Sequence, residues 1–143
     1  MRIRSVEIGV AALLFATQAA AAEVQISDAW MRALPAPSPS GGYFTLRNTG
    51  TSEITLTGAK SPACGMLMLH RSKEMGGMSS MEDVSSVPVP AGGEIRFSPG
   101  GYHLMCMDST SAIKPGGSVP VTLQFSDKTE ATANFAVKNA QGK

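Results

Sequence analysis

This sequence is short of nearly everything that would place it in a common function class. It has no charge excess: its 143 residues carry 12 Lys and Arg against 11 Asp and Glu. A near-neutral domain with scattered charges offers no electrostatic hold on nucleic acid or on anionic lipid. No apolar run is long enough to span a bilayer. Helix signals are nearly absent beyond the N-terminal segment, and there is no internal repeat, no low-complexity tract and no linker long enough to divide domains. Cysteine and histidine occur only twice each. No nucleophile–base pair is evident, so the pattern does not read as an enzyme.

What is present begins with a segment set apart from the rest. Arg2 and Arg4 make a positive start, residues 8–16 are apolar apart from small interruptions, and residues 19–22 are four alanines. That is the pattern of a secretory signal peptide, with Glu7 an untidy feature at the edge of the apolar run. Cleavage is expected after Ala22, which leaves residues 23–143 as one domain with its own core. No cysteine follows the expected cleavage point, so the expectation is a periplasmic protein without a lipid anchor. In that oxidising compartment two cysteines read as a single disulfide.

Short alternating or apolar runs recur at roughly ten-residue spacing between Gly, Pro, Asn and Asp clusters, which argues for an all-β sandwich or barrel. The expected strands are 24–32, 42–48, 54–59, 65–70, 84–89, 94–98, 102–107, 119–126 and 131–138. The three prolines of 34–41 (LPAPSPSG) make that stretch a surface loop rather than an interior strand. Val121, Leu123, Phe125, Phe135 and Val137 are expected to supply core side chains.

The chemistry concentrates in residues 70–107, which hold both histidines, five of the nine methionines and one cysteine. Met66, Met68 and His70 fall at even spacing, and so do His103, Met105 and Met107. On an unbroken strand each trio shares a face, with Leu67, Leu69 and Leu104 on the other. Thioethers also fill irregular core gaps, and Met31, Met66 and Met68 are assigned to that packing role. Met75, Met78 and Met81 differ, because 73–82 reads as a polar Gly/Ser-rich loop where no core needs filling. Exposed methionine is prone to sulfoxide formation, so a use as soft ligand becomes the better account. Imidazole and thioether together suit Cu(I). Only the histidines of such a site titrate, and they must be neutral to bind.

His70, Met81, His103 and Met105 fall in the pattern H-x10-M-x21-H-x-M. This spacing resembles the periplasmic copper chaperones of the PCu(A)C type, implicated in copper delivery to cytochrome c oxidase. Asp28-Ala29-Trp30 with Arg32, Gly42-Tyr43-Phe44 with Asn48, the Pro-Ala-Gly-Gly turn at 90–93 and Pro99-Gly100-Gly101 extend the likeness over most of the chain. The resemblance implies a cupredoxin-like Greek-key β-sandwich with an exposed Cu(I) site. The four motif residues would be its ligands. Beside them, Met75, Met78 and Met107 of the same stretch read as auxiliary ligands. It also implies a non-enzymatic monomer that exchanges copper with a donor or acceptor protein, such as a cytochrome oxidase subunit or another chaperone. Some members carry a C-terminal extension rich in His and Met that takes up Cu(II). This chain ends NFAVKNAQGK, with neither residue, and no such site is expected.

Three uses of the cysteines stay open: a structural Cys64–Cys106 disulfide, a Cys106 thiolate ligand, and redox activity. Alternation turns Cys106 away from His103 and Met105, and no Cys-x-x-Cys motif supports redox chemistry. Rival functions are weaker. A blue-copper carrier needs a His2Cys set, and no histidine follows Cys106. Zinc on Cys64, His70, His103 and Cys106 needs both thiols reduced and leaves the methionines of 73–82 without a use. General copper storage or tolerance would use the same four ligands. A metal-free adhesion sandwich gives no reason for histidine and methionine to cluster.

Overall fold

Along the segment Ser118–Phe125, Val119, Val121, Leu123 and Phe125 are buried, and the residues between them are not. A period of two is the mark of a strand with one face on a core, and it recurs along the chain. The structure, a computed structural model, describes residue 13 and residues 20–143. Most of the expected signal peptide therefore lies outside the described residues. The strands are β1 (Val24–Arg32), β2 (Ser40–Asn48), β3 (Ile54–Lys60), β4 (Cys64–Met75) and β5 (Met78–Asp83). They continue with β6 (Val87–Val89), β7 (Glu94–Phe97), β8 (Tyr102–Ser109), β9 (Ser118–Phe125) and β10 (Glu130–Lys138). No helix occurs among the described residues.

Hydrogen bonding runs in the order β5-β4-β8-β2-β1-β10-β9-β3-β6, with β7 also paired to β2. β1 and β10 are parallel. The path folds back so that β3 lies near β4, and its two halves enclose Phe44, Leu56, Phe97, Leu104, Leu123 and Phe135. The chain crosses repeatedly between these layers, in the manner of a Greek key. This is the all-β sandwich that the alternation predicts.

Two expectations need correction. Residues 73–82 are not a loop: β4 runs on to Met75 and returns as β5, with Met75 opposite Met78. Gly76 and Gly77 have φ of +59° and +80°, which a two-residue hairpin turn of the I′ kind requires and glycine adopts without steric penalty. The expected strand 84–89 shrinks to β6 accordingly. Nor are Met66 and Met68 core residues. Leu67 and Leu69 are the buried side of β4, at 8% and 5% exposed, whereas Met66 is 56% exposed and Met68 only partly covered.

Candidate metal centre

Residues paired across adjacent strands share a sheet face, as do residues two apart on one strand. The β4–β8 register sets Met66 opposite Met107, Met68 opposite Met105 and His70 opposite His103. The β4–β5 hairpin adds Met81 opposite Ser72 and Asp83 opposite His70. β2 and β1 continue the same face, with Gly41 opposite Met105 and Arg32 opposite Gly41. Leu67, Leu69, Leu104 and Cys106 occupy the reverse face and enter the core. The four motif residues thus stand together on the outer face of three neighbouring strands.

Their surroundings differ. His103 is 4% exposed and Met105 9%, whereas Met81 is 61% exposed. His103, Met105 and Met81 line a cavity of about 230 Å³ together with Arg32, Tyr43 and the loop residue Pro99. His70 lies outside that lining, against the His103 ring, with ring centroids 5.8 Å apart and planes at 76°. Gly41 lets the Tyr43 ring close down on this face, because a Cβ there would sit 2.6 Å from Tyr43 Oη. Tyr43 is packed in turn against Trp30, at 4.7 Å between centroids, with Arg32 5.4 Å above its ring.

The turn before β8 sets the chemistry of His103. Gly100 has φ of +84°, and the turn aims the Gly101 carbonyl inward. That oxygen accepts the Ser72 N–H at 3.1 Å and lies 3.1 Å from His103 Nδ1. A carbonyl only accepts, so Nδ1 carries the proton and the lone pair is left on Nε2. Nε2 is buried with no hydrogen-bond partner. Burial holds the His103 pKa below the usual histidine range, and the nearby His70 acts in the same sense, against the opposing pull of the Gly101 carbonyl. The ring is therefore kept in its neutral, ligating form. His70 is 13% exposed, and Asp83 Oδ1 lies 2.8 Å from its Nε2. This carboxylate is a polar neighbour of the ring, and His70 Nδ1 is buried without a hydrogen-bond partner.

Cys64 and Cys106 form a disulfide with Cα atoms 5.4 Å apart, bridging the strands that carry both histidines. Neither sulfur is then a thiolate for a metal. Among the described residues no three His, Cys, Asp or Glu side chains gather into a metal-holding group, so a zinc site of the ordinary kind has no donor set. Two imidazoles and two thioethers remain, and they fit a soft monovalent ion.

Met107 shares the face but sits two rows from the histidines. Met78 is three residues from Met81 on β5, which turns it to the reverse side of the hairpin, 76% exposed. Met75 is placed only by its register opposite Met78. The Arg71–Glu82 and Lys73–Glu82 ion pairs link β4 to β5, away from Met81. Asp83 is a site residue that the sequence did not disclose, and Arg32, Tyr43 and Gly101 stood out there only for family likeness, not as parts of the site. For Asp83 the signal existed in Gly76-Gly77, since a two-residue turn there dictates its place opposite His70.

A β-sandwich of this kind is shared with solved copper-protein domains. The apo PCuAC domain of PmoF2 matches with a TM-score of 0.66 and 23% identity, over 85% of this chain and 94% of that one. The solution structure of Cu(I)-DR1885 from Deinococcus radiodurans matches with a TM-score of 0.63 and 28% identity, over 82% of this chain and 78% of that one. A family model described as "Putative lipoprotein LpqE-like" covers residues 24–137. The "Putative lipoprotein Lxx21020" of Leifsonia xyli subsp. xyli is 32% identical over 120 residues, 83% of this chain and 72% of that protein. The "Uncharacterized protein RP573" of Rickettsia prowazekii is 31% identical over 104 residues, 71% of this chain and 57% of its own length, so the match spans less than two thirds of it. The chain belongs to the LpqE-like family, and it has the cupredoxin-like β-sandwich fold of the solved PCuAC domains.

Proposed function

We propose that this protein is a periplasmic copper chaperone that holds Cu(I) on His70, Met81, His103 and Met105 and passes it to an acceptor protein. The observation that supports this most is His103 Nε2: a buried lone pair without a partner, with its tautomer set by the Gly101 carbonyl. Buried polar atoms are seldom left unpaired, and this one opens beside Met105 and Met81 on the face that His70 shares. Family membership supports the copper-carrying role in general terms.

The cargo needs no bond chemistry from the protein. Neutral ligands leave the ion's positive charge on the complex, favouring Cu(I) over Cu(II). Transfer is ligand exchange: an acceptor's donor atom forms a bond to the metal as one of the four lets go. On this reading residues 1–22 are the export signal, cleaved near Ala22, and 23–143 are the working domain, acting as a monomer. On the same reading the copper is destined for cytochrome c oxidase assembly, with general copper storage or tolerance as the alternative. That role is tested by measuring oxidase copper content against copper tolerance in cells lacking the protein.

The ligand set is tested by anaerobic Cu(I) titration against a strong chelator, on wild type, Met81→Ala and His103→Ala. One tightly held equivalent is expected. Each variant should weaken it at least as much as loss of an outer-shell partner does, about 10–100-fold. Unchanged affinity in both variants would show that the ligand set is wrong.

A further inference from the structure

The outer face of β4 and β8 does not end at the histidines. Below the His70–His103 row lie the Met68–Met105 row and then the Met66–Met107 row. Met66 is 56% exposed, and Met68 and Met107 are partly exposed. Core filling does not account for these side chains, because Leu67, Leu69 and Leu104 supply the core from the reverse face. Nor does strand propensity, which favours β-branched and aromatic residues at such positions. What the three have in common is an oxidisable thioether turned toward solvent.

We propose that Met66, Met68 and Met107 form a second, thioether-only site for a soft monovalent cation, Cu(I) or Ag(I), on the sheet face that carries the His70–His103 site. The inference deepens the reading of this protein as a copper carrier, and it rests on that reading for its purpose. Side chains directly opposite on two strands have Cβ atoms about 4.5–5.5 Å apart, and diagonal neighbours lie about 7–8 Å apart. Flexible methionine side chains span those distances, so Met66, Met107 and the diagonal Met68 can close on one ion. Successive rows are about 7 Å apart. An ion on the outer site, held in part by Met68, is therefore one short step from Met105 opposite it, and Met105 belongs to the inner site. Movement between the sites forms one metal–sulfur bond as another breaks. The ion keeps its oxidation state, and no proton is taken up or released. Thioethers do not titrate, so binding at the outer site itself is independent of pH.

The test is a titration of the full domain with Ag(I), a diamagnetic and redox-stable probe, followed through isotope-labelled methionine methyl groups by NMR. The first equivalent should move the methyls of Met81 and Met105, and the second those of Met66, Met68 and Met107. The double variant Met66→Leu/Met107→Leu should lose the second response and keep the first. Met78, more exposed than any of the three but on the reverse side of the hairpin, is the control and should stay still through both equivalents. A second equivalent that leaves Met66, Met68 and Met107 unmoved refutes the outer site. So does a Met78 response at the same midpoint, which would make thioether exposure the whole explanation. A first equivalent that misses Met81 and Met105 counts instead against the inner ligand set, and the two failures are thereby told apart.

Discussion

The disulfide is the most direct place to test how the site is held. Cys64 and Cys106 are 42 residues apart in sequence. In the chain-entropy description, a crosslink closing a loop of that size removes about 13 cal/mol/K of unfolded-state freedom, or about 4 kcal/mol at 25 °C. Against a typical total stability of about 5–15 kcal/mol, this is a large share. The perturbation should be Cys64→Ala/Cys106→Ala. Serine at the fully buried position 106 would add an unpaired hydroxyl and blur the comparison. The assay is urea unfolding of the metal-free domain, wild type against variant, with linear extrapolation. The midpoint should fall by the equivalent of about 4 kcal/mol, and the slope should rise because the uncrosslinked chain expands further. A loss below about 1 kcal/mol would refute the loop-entropy argument. Cu(I) buffered at about 100 times its dissociation constant should stabilise either form by about 2.7 kcal/mol. A stabilisation confined to wild type would show that the crosslink also shapes the site.

Two further outcomes follow from the same geometry. Because burial lowers the pKa of His103 in the folded state, the unfolded chain takes up a proton there first. Stability of the metal-free domain should therefore be full above the unfolded histidine value near 6.5 and fall as pH drops from there toward the folded value. In urea unfolding between about pH 7 and pH 5, His103→Gln should flatten that slope, and an undiminished slope would count against the assignment. Gly41→Ala places a Cβ 2.6 Å from Tyr43 Oη, and Tyr43 is packed against both Trp30 and Arg32. Overpacking of this kind costs about 1–3 kcal/mol. It should appear as a lower thermal midpoint with a changed near-UV tyrosine signal, and wild-type values for both would show that the ring yields freely.

The strands that touch the core were legible because burial forces a period of two. β9 shows it plainly, with Val119, Val121, Leu123 and Phe125 inward. β5 was not legible, since Met78–Asp83 is exposed along nearly its whole length and a strand with no core face has no apolar period. β4 failed differently. Leucine on one face and methionine on the other leave both faces apolar, so its sequence does not say which side meets the core. Only the strands packed against it decide that, and they turn Leu67 and Leu69 inward. The four-residue set came from spacing that resembles a known family, yet spacing alone could not reveal the Gly101 carbonyl behind His103. A backbone oxygen leaves no mark on residue identity. Asp83 stands beside His70 through the register of a hairpin whose second strand has no apolar period to announce it.

The burial pattern carries a consequence for how copper would leave on the proposed reading. His103 and Met105 are nearly inaccessible on β8, a strand flanked on both sides by β4 and β2. Cys106 and the disulfide hold the same strand from behind. Met81 stands on β5, the outermost strand of the path, on a hairpin tethered by surface ion pairs that contribute little to stability. Four ligands that look equivalent in a motif are therefore unequal in the fold. On that reading an acceptor's donor atom would reach the metal from the side that Met81 covers, and Met81 would be the ligand least costly to displace. The buried pair would keep the ion in place while the exposed thioether is exchanged. Such a domain would hold copper tightly at equilibrium and still release it at a useful rate, with affinity mainly in β8 and exchange beginning at β5.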